Sequence, residues 1–502
     1  MPLSATTGDE DARDGRLSAQ LLSALHAEPD PVHGGRIVDA SGRQVLLRGV
    51  NVNAAVDYWR GTGFATTFPF TAADADRMAA IGWSSVRLLL SWSKVEPRPG
   101  HYDEAYLGRI AADVRVLARR RIYSIVDFHQ DAWGATLAAR PGEVCPLGSP
   151  AALGWDGAPG WATLDGNASR CATAGIRELS PAVLDAFKAF WADAPGPGGV
   201  GIRTRYERMV GHVAARFAHS SSVAGYDVMN EPNAFGPAQQ TALADLYAGS
   251  LRAVRRAERR VGGTRHLLFF EPSALWSSTG SGPPPNFPHD RDVVYAPHIY
   301  TGGFTGGPIT ADAFQVALDE ARAFGGAPVL SGEWGADPNR AAPGGDLYFL
   351  DHQQLQDDFR IGATLWTWRE SCGDPHKVAD HRAGRVPTVW GEFDVDCRTN
   401  SVLGVRHPVV AELTRAYPRA APGRLDHTSY DPVAKRLVAT GSGARRGVVL
   451  EVFFPSVSSR LAIRMRGLCH VRLRRAPGGA TLVTARATGG AWSVRLAERV
   501  SR

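Results

Sequence analysis

Between residues 46 and 368, short apolar runs alternate with longer segments in which apolar side chains recur every three or four positions. Eight runs stand out: LLRGVNV (46–52), SVRLLLSW (85–92), YSIVDFH (123–129), GYDVMNE (225–231), HLLFFEP (266–272), VVYAPHIY (293–300), APVLSGEW (327–334) and GATLWTW (362–368). A strand that is apolar almost throughout is buried on both faces, which is the condition of a parallel sheet covered by helices. The helical period predicts those helices over 72–81, 104–120, 181–192, 203–217, 239–260, 311–324 and 346–359. Eight strand-plus-helix units predict an α/β fold, a (β/α)8 TIM barrel with enlarged loops. A doubly wound open sheet is the competitor, but no GxGxxG follows the first run.

The pattern changes at both flanks. Residues 1–32 are polar and read as a disordered leader, with Asp9, Glu10, Asp11 and Asp14 and no apolar stretch of the secretory kind. Residues 35–43 read as a hairpin turning at Ser41 and Gly42. From 424 to 502 the helical period vanishes and short alternating runs take over, predicting a small all-β, sandwich-like domain after a barrel over 33–420. Two long segments, 132–180 and 369–402, lie on the predicted barrel rim; a segment as long as the first is functional or disordered, and its two cysteines favour order.

Composition narrows the function only a little. The charge of +6 rests on arginine that reads as scattered, with no basic run interleaved with aromatics, so nucleic-acid binding is not expected. No apolar run is long enough to span a bilayer. Of five cysteines, Cys145 and Cys171 bracket one rim loop and Cys372 and Cys397 the other. Two local disulfides are expected, leaving Cys469 free and pointing to an oxidising compartment, against the absence of a visible signal peptide. No CxxC spacing suggests zinc.

The candidate chemistry collects where the apolar runs end: Arg87; His129 and Asp131; Asn230 and Glu231; His298 and Tyr300; Glu333; Trp366 and Trp368. In a parallel barrel this is the rim that carries active sites. Pro232 is expected to end its strand at Glu231 and to keep that residue extended. Glu231 and Glu333, on the fourth and seventh strands, would face each other across the mouth. Cleavage of a glycosidic bond needs such a pair, one acid and one nucleophile or base. Asn230 can donate to a sugar 2-hydroxyl, Tyr300 can hold Glu333 ionised, His298 can tune the acid and Arg87 can lower a neighbouring carboxyl. Each also has a plainer reading: Arg87 as an ion pair, His129 as a satisfied core histidine, one of the two tryptophans as packing. Glu271 and Glu370 end similar runs and compete for the acid role.

These residues resemble glycoside hydrolase family 5: the Asn-Glu-Pro box, His-x-Tyr on the sixth strand, Glu-Trp-Gly on the seventh and the tryptophan-rich eighth, over about residues 34–417. The resemblance implies a retaining enzyme, with Glu231 as acid/base, Glu333 as nucleophile, and Arg87, His129, Asn230, His298, Tyr300 and Trp366 in support. Asp127-Phe128-His129-Gln130-Asp131, the stretch 92–100 and the appended β domain are similar to the endoglycoceramidase branch, in which Asp131 would contact sugar. That branch implies a glycolipid substrate and export, with no cofactor and no metal. The expected chain is a monomer in peripheral contact with a membrane or micelle surface, through arginines or the apolar stretch 452–455 if these do not simply pack. Alternatives are a family 5 enzyme on β-glucan, mannan or a small or steryl β-glucoside, and a non-catalytic carbohydrate-binding barrel. A metal-dependent hydrolase using His129, Asp131 and His298 is a third.

Overall fold

The structure is a computed structural model and describes residues 22–338, 346–382, 384, 387–457 and 461–499. The N-terminal strands are β1 (Leu25–Glu28), β2 (Arg36–Asp39) and β3 (Arg43–Val45). They precede the barrel strands β4 (Arg48–Val52), β5 (Ser85–Ser91), β6 (Tyr123–His129), β7 (Val223–Asp227), β8 (Leu267–Phe270), β9 (Val293–Tyr295), β10 (Leu330–Trp334) and β11 (Gly362–Leu365). The eight pair in parallel in the order β10-β11-β4-β5-β6-β7-β8-β9, and a parallel bridge between Tyr295 and Val329 joins the ends. All eight apolar runs supply barrel strands. The helices fall where the period places them, as at Ala72–Ile81, where Thr71 and Asp74 form a capping box and Gly82, at φ 98°, ends the helix.

Each strand is buried on both faces, yet the faces differ. On β5, Leu88 and Leu90 pack outward against helices, while Arg87 and Leu89 point the other way, into the lumen. The lumen is apolar at one end, where Tyr123, Ile125, Leu267, Phe269 and Leu330 meet. Toward the C-terminal ends of the strands it turns polar. That layering sets the floor and the chemistry of one cavity.

The hairpin β12 (Phe393–Asp396) and β13 (Ser401–Val405) lies on the rim, and eight further strands follow: β14 (Tyr417–Pro422), β15 (Arg424–Asp431), β16 (Arg436–Ala444), β17 (Val449–Phe454), β18 (Leu461–Arg466), β19 (Leu468–Arg475), β20 (Thr481–Ala487) and β21 (Gly490–Glu498). They form a seven-stranded sheet, β1-β2-β3-β14-β17-β20-β19, and a four-stranded sheet, β15-β16-β21-β18. The expected domain boundaries therefore need correcting. Part of the supposed leader, Leu25–Glu28, is a strand antiparallel to β2, and the N-terminal hairpin continues the C-terminal sheet; residues 1–21 lie outside the described residues. Strand pairing over more than 370 residues of separation satisfies an edge that the hairpin alone would leave open. The apolar stretch 452–455 is packing: Val452, Phe453 and Phe454 are buried, and the Phe453 ring fills the space beside Gly82.

Cys145–Cys171 and Cys372–Cys397 are disulfide-bonded and staple the two rim loops, and Cys469 is unpaired. Beneath the barrel, the fully buried Asp357 accepts from Arg48 at 2.6 Å and from Arg415. The arginines are not scattered, contrary to the sequence expectation. Residues 461–499 carry eight of them and one carboxylate, Glu498, against +6 for the whole chain. Among the described residues no helix is long and apolar enough to cross a membrane.

Candidate active site

The polar layer of the lumen is organised by Arg87, which is fully buried. Its Nε donates to Asp227 (2.9 Å), Nη1 to Asn51 (3.1 Å) and Glu333 (2.8 Å), and Nη2 to Asp127 (2.9 Å), Asn230 (3.0 Å) and Glu271 (3.0 Å). Burial disfavours the cation, but Asp127, Asp227, Glu271 and Glu333 together hold it charged far above the ordinary arginine range. A planar fork with five N–H groups suits this better than an ammonium.

Glu333, at the end of β10, gives one oxygen to Arg87 and the other to the Tyr300 hydroxyl at 2.9 Å. Burial pushes its carboxyl up; His298 and Arg87 oppose that shift, and Glu231 adds to it. His298 Nδ1 lies 3.0 Å from Glu231 Oε1 and 3.6 Å from Glu333 Oε2, and its Nε2 lies 3.1 Å from Glu271. Burial lowers the affinity of this imidazole for a proton, but the three surrounding carboxylates overcome that and raise it well above the usual histidine value. Oxygens of Glu231 and Glu333 and a nitrogen of His298 all lie within 4.8 Å of one another. Glu231 is the more accessible of the pair, its side chain 19% exposed against 7% for Glu333.

Glu231 is not at a strand end. β7 stops at Asp227, and Glu231 has φ 37° rather than the extended backbone expected before Pro232. A non-glycine residue in this region is strained, and surrounding bonds must hold it. They are present: the Glu231 N–H donates to Glu271 Oε2 at 2.8 Å, and the Gln130 amide donates to the carbonyls of Asn230 (2.8 Å) and Glu231 (2.9 Å). Asn230 spends one N–H on the Gln130 carbonyl at 3.0 Å and its oxygen on Arg87. Glu271 thus contacts the Glu231 N–H, Arg87 and His298 at once. Glu370 sits apart, fully buried, accepting from the Trp390 N–H at 2.6 Å with Lys377 at 3.5 Å.

Sequence reasoning gave Asp127 and Gln130 no role beyond their place in a motif and passed over Asp227 and Asn51. The available signal was a charged or amide side chain inside an otherwise apolar strand, since such a group is buried only if partnered. Burial pushes the Asp227 carboxyl up despite Arg87.

On one side the polar layer continues to the ends of β5 and β6. His129 Nδ1 lies 2.8 Å from Asp127, and its ring stacks on Trp366 (5.5 Å, 13°). Asp131 is held by Arg177 at 2.8 Å and faces His129 and His376 at 3.7 and 3.8 Å; burial raises its carboxyl, but Arg177 and the two histidines leave it well below the usual value. The stapled loop 132–180 contributes Asp156, fully buried, whose one oxygen meets Ser91 at 3.2 Å while the other, like the Tyr58 hydroxyl and His129 Nε2, has no hydrogen-bond partner among the described residues. Burial pushes Asp156 up to about 7. Trp366 packs beside this layer with Tyr300, Tyr58 and Trp390. Trp368 does not, which corrects its expected place in the site. Its indole donates to Asp74 at 3.1 Å and packs edge-on to Trp83 and Phe393, against the helix Ala72–Ile81.

Three groups of ligand-type atoms draw together: His129, Asp131 and Asp156; Glu231, His298 and Glu333; Glu370, Asp374 and His376. The trio expected for a metal site, His129, Asp131 and His298, is not among them. In the second group the buried cation Arg87 already contacts Glu333, the charge arrangement of an acid–base pair more than of a cation cage.

The Cellulase family (glycosyl hydrolase family 5) matches residues 38–371. Endoglycoceramidase I of Rhodococcus hoagii is 26% identical over 289 residues, spanning 53% of this chain and 52% of that protein. Endoglycoceramidase of Cyanea nozakii is 24% identical over 296 residues, 53% of each. The chain thus spans about half the length of these relatives. Among solved structures, an endogalactoceramidase superposes with a TM-score of 0.83 at 35% identity, over 94% of this chain and 99% of the other. Endo-glycoceramidase II from Rhodococcus sp. shares the fold, with a TM-score of 0.70 at 24% identity over 92% of this chain and 99% of the other. A family match over more than half of its length, and a 35% identical structure that it covers almost end to end, lead to one conclusion: the chain belongs to glycoside hydrolase family 5.

Proposed function

We propose that this protein is a retaining β-glycosidase that releases the sugar moiety of a glycolipid. The observation that carries the reaction class is the Glu231–Glu333 pair, with oxygens within 4.8 Å at the polar end of the barrel. Retaining enzymes hold their carboxyl groups about 5–5.5 Å apart, whereas inverting ones leave about 6.5–9.5 Å for a water.

The division of roles follows from the partners. Glu333 is buried and fixed by Arg87 and Tyr300, so its carboxylate is aimed and unable to swing. It attacks the anomeric carbon and forms the glycosyl ester. Glu231, more exposed and beside His298, passes its proton to the departing oxygen in the same step. The Glu231 carboxylate then takes a proton from water, whose oxygen attacks the anomeric carbon, and Glu333 leaves as carboxylate. The second N–H of Asn230 is directed to the sugar 2-hydroxyl. Trp366 and His129 flank the ring, and Asp131 and Asp156 accept from its outer hydroxyls.

The glycolipid reading rests on the endogalactoceramidase and endoglycoceramidase relatives, and the two disulfides favour an exported protein. The test is hydrolysis of a panel comprising a ganglioside, a galactose-linked glycolipid, glucosylceramide, a steryl glucoside, a β-glucan and a nitrophenyl glycoside, scored for intact sugar release. Turnover of the β-glucan alone would overturn the glycolipid assignment and keep the reaction class. Turnover of none would overturn both.

A further inference from the structure

The eight arginines of residues 461–499 play no part in the barrel chemistry. All are exposed, and none pairs with a carboxylate among the described residues. The one acidic residue of the segment, Glu498, is engaged by Lys435 at 2.7 Å and Ser456 at 3.0 Å. The rest of the chain is close to neutral, so the net charge of the protein is concentrated here.

Strand pairing gathers this charge. β18 is the edge of the four-stranded sheet and β19 the edge of the seven-stranded one, and only Gly467 separates them. The two edges therefore lie on one side of the sandwich and form a rim bearing Arg464, Arg466, Arg472, Arg474 and Arg475. Val471 and Leu473, 43% and 40% exposed, stand between them.

Charge on an edge strand can serve only to block edge-to-edge pairing. That explanation is insufficient here. Arg486 on β20 and Arg495 on β21 lie one strand in, where no edge needs guarding. Arg464 is registered directly opposite Arg495, a like-charge pair that costs stability. An unpaired field of one sign, kept against that cost, is the footprint of an anionic partner.

We infer that this rim is a docking surface for an anionic lipid bilayer. Arginines interleaved with exposed aliphatic side chains fit a headgroup layer, where guanidinium meets phosphate or carboxylate and Val471 and Leu473 dip toward the acyl boundary. A nucleic acid is the poorer fit, because the aromatics of this domain, Tyr430, Phe453, Phe454 and Trp492, are all buried and none is free to stack on a base. The turn after β19 packs against Ala80, near the end of the helix Ala72–Ile81 that leads into the start of β5. That is the barrel end opposite the active site, so docking leaves the mouth uncovered.

The test is co-sedimentation of the full chain with vesicles of phosphatidylcholine alone or with about one-fifth phosphatidylserine. Binding is expected only to the anionic vesicles and is expected to fall as salt shortens the screening length. Each arginine replaced should weaken it about fivefold, so Arg464→Ser, Arg472→Ser and Arg474→Ser together should weaken it about a hundredfold. The corresponding lysine triple should retain binding. Unfolding midpoints of both triples serve as the fold check. Vesicle-bound enzyme should hydrolyse a soluble aryl glycoside at the rate of free enzyme. Equal binding to neutral vesicles, an unaffected serine triple, or tighter binding to a DNA duplex at matched phosphate concentration would overturn the inference. Absence of glycoside hydrolysis would refute the proposed function and leave the docking result standing.

Discussion

Replacing Tyr300 by Phe tests the assignment of Glu333 as the ionised nucleophile. The hydroxyl donates to Glu333 Oε2 at 2.9 Å between two buried residues, and its ring stacks on Phe304 at 4.5 Å and meets Trp390 edge-on. Phe keeps those ring contacts and removes only the hydrogen bond. A bond to a charged group contributes about 1.5–3 kcal/mol, and each pKa unit corresponds to about 1.36 kcal/mol, so the loss amounts to about one to two units. The sign is fixed: the donor favours the carboxylate, so its removal raises the pKa of a group that burial already holds above the usual glutamate value. Activity requires the carboxylate and disappears as pH falls through that value. The acid limb of kcat/KM should therefore move up by about one to two units, as a macroscopic constant of the Glu231–His298–Glu333 cluster. The assay is the pH profile of kcat/KM on a nitrophenyl glycoside. An acid limb that stays in place or moves down would refute the reasoning.

Further outcomes follow from the same geometry. Glu333→Gln should abolish turnover and block covalent labelling by a fluorinated glycoside, whereas Glu231→Gln should cost about 10²–10⁴-fold on a glycolipid and far less on an aryl glycoside whose leaving group needs no proton; normal glycolipid turnover by either variant would sink the pair. Asp357→Ala strands the buried guanidinium groups of Arg48 and Arg415 and should destabilise the fold by about 3–5 kcal/mol, read from urea midpoints. Replacing Cys145 and Cys171 by Ser opens a loop with a sequence separation of 26 and should cost about 3.5 kcal/mol on the chain-entropy account, measured the same way. Trp368→Phe should lower stability through the lost Asp74 bond and leave KM unchanged, while Trp366→Ala should raise KM; the reverse pattern would place Trp368 in the site after all.

The barrel was legible because its cause is local. A strand covered on both faces must be apolar along its length, and eight such runs separated by helical period admit few other folds. The proximity of Glu231 and Glu333 was legible for a related reason: carboxylates terminating two of those runs fall on one rim. Glu271 reads as a competitor in sequence because its setting, an acid before proline at a run's end, matches that of Glu231. Only the third dimension shows that it accepts the Glu231 N–H and faces Arg87 and His298.

The sequence by itself determined which segments are strands and which carboxylates stand at the polar end of the barrel. The tertiary structure decided the rest, since alternation along a strand says that two side chains face opposite ways but not which way is the lumen. Trp366 and Trp368, two apart, would share a face on a regular strand, but β11 ends at Leu365, and the chain beyond it packs Trp366 against Tyr300 and Trp390 and sends Trp368 to the helix. Folding brought Arg87 against Asp227 and Glu333, 140 and 246 residues away, and so set the charge state of the site through neighbours no local pattern contains. It also paired the N-terminal hairpin with the C-terminal sheet and lined arginines that look dispersed in sequence along one rim, because strand order is fixed by long-range hydrogen bonding rather than by position in the chain.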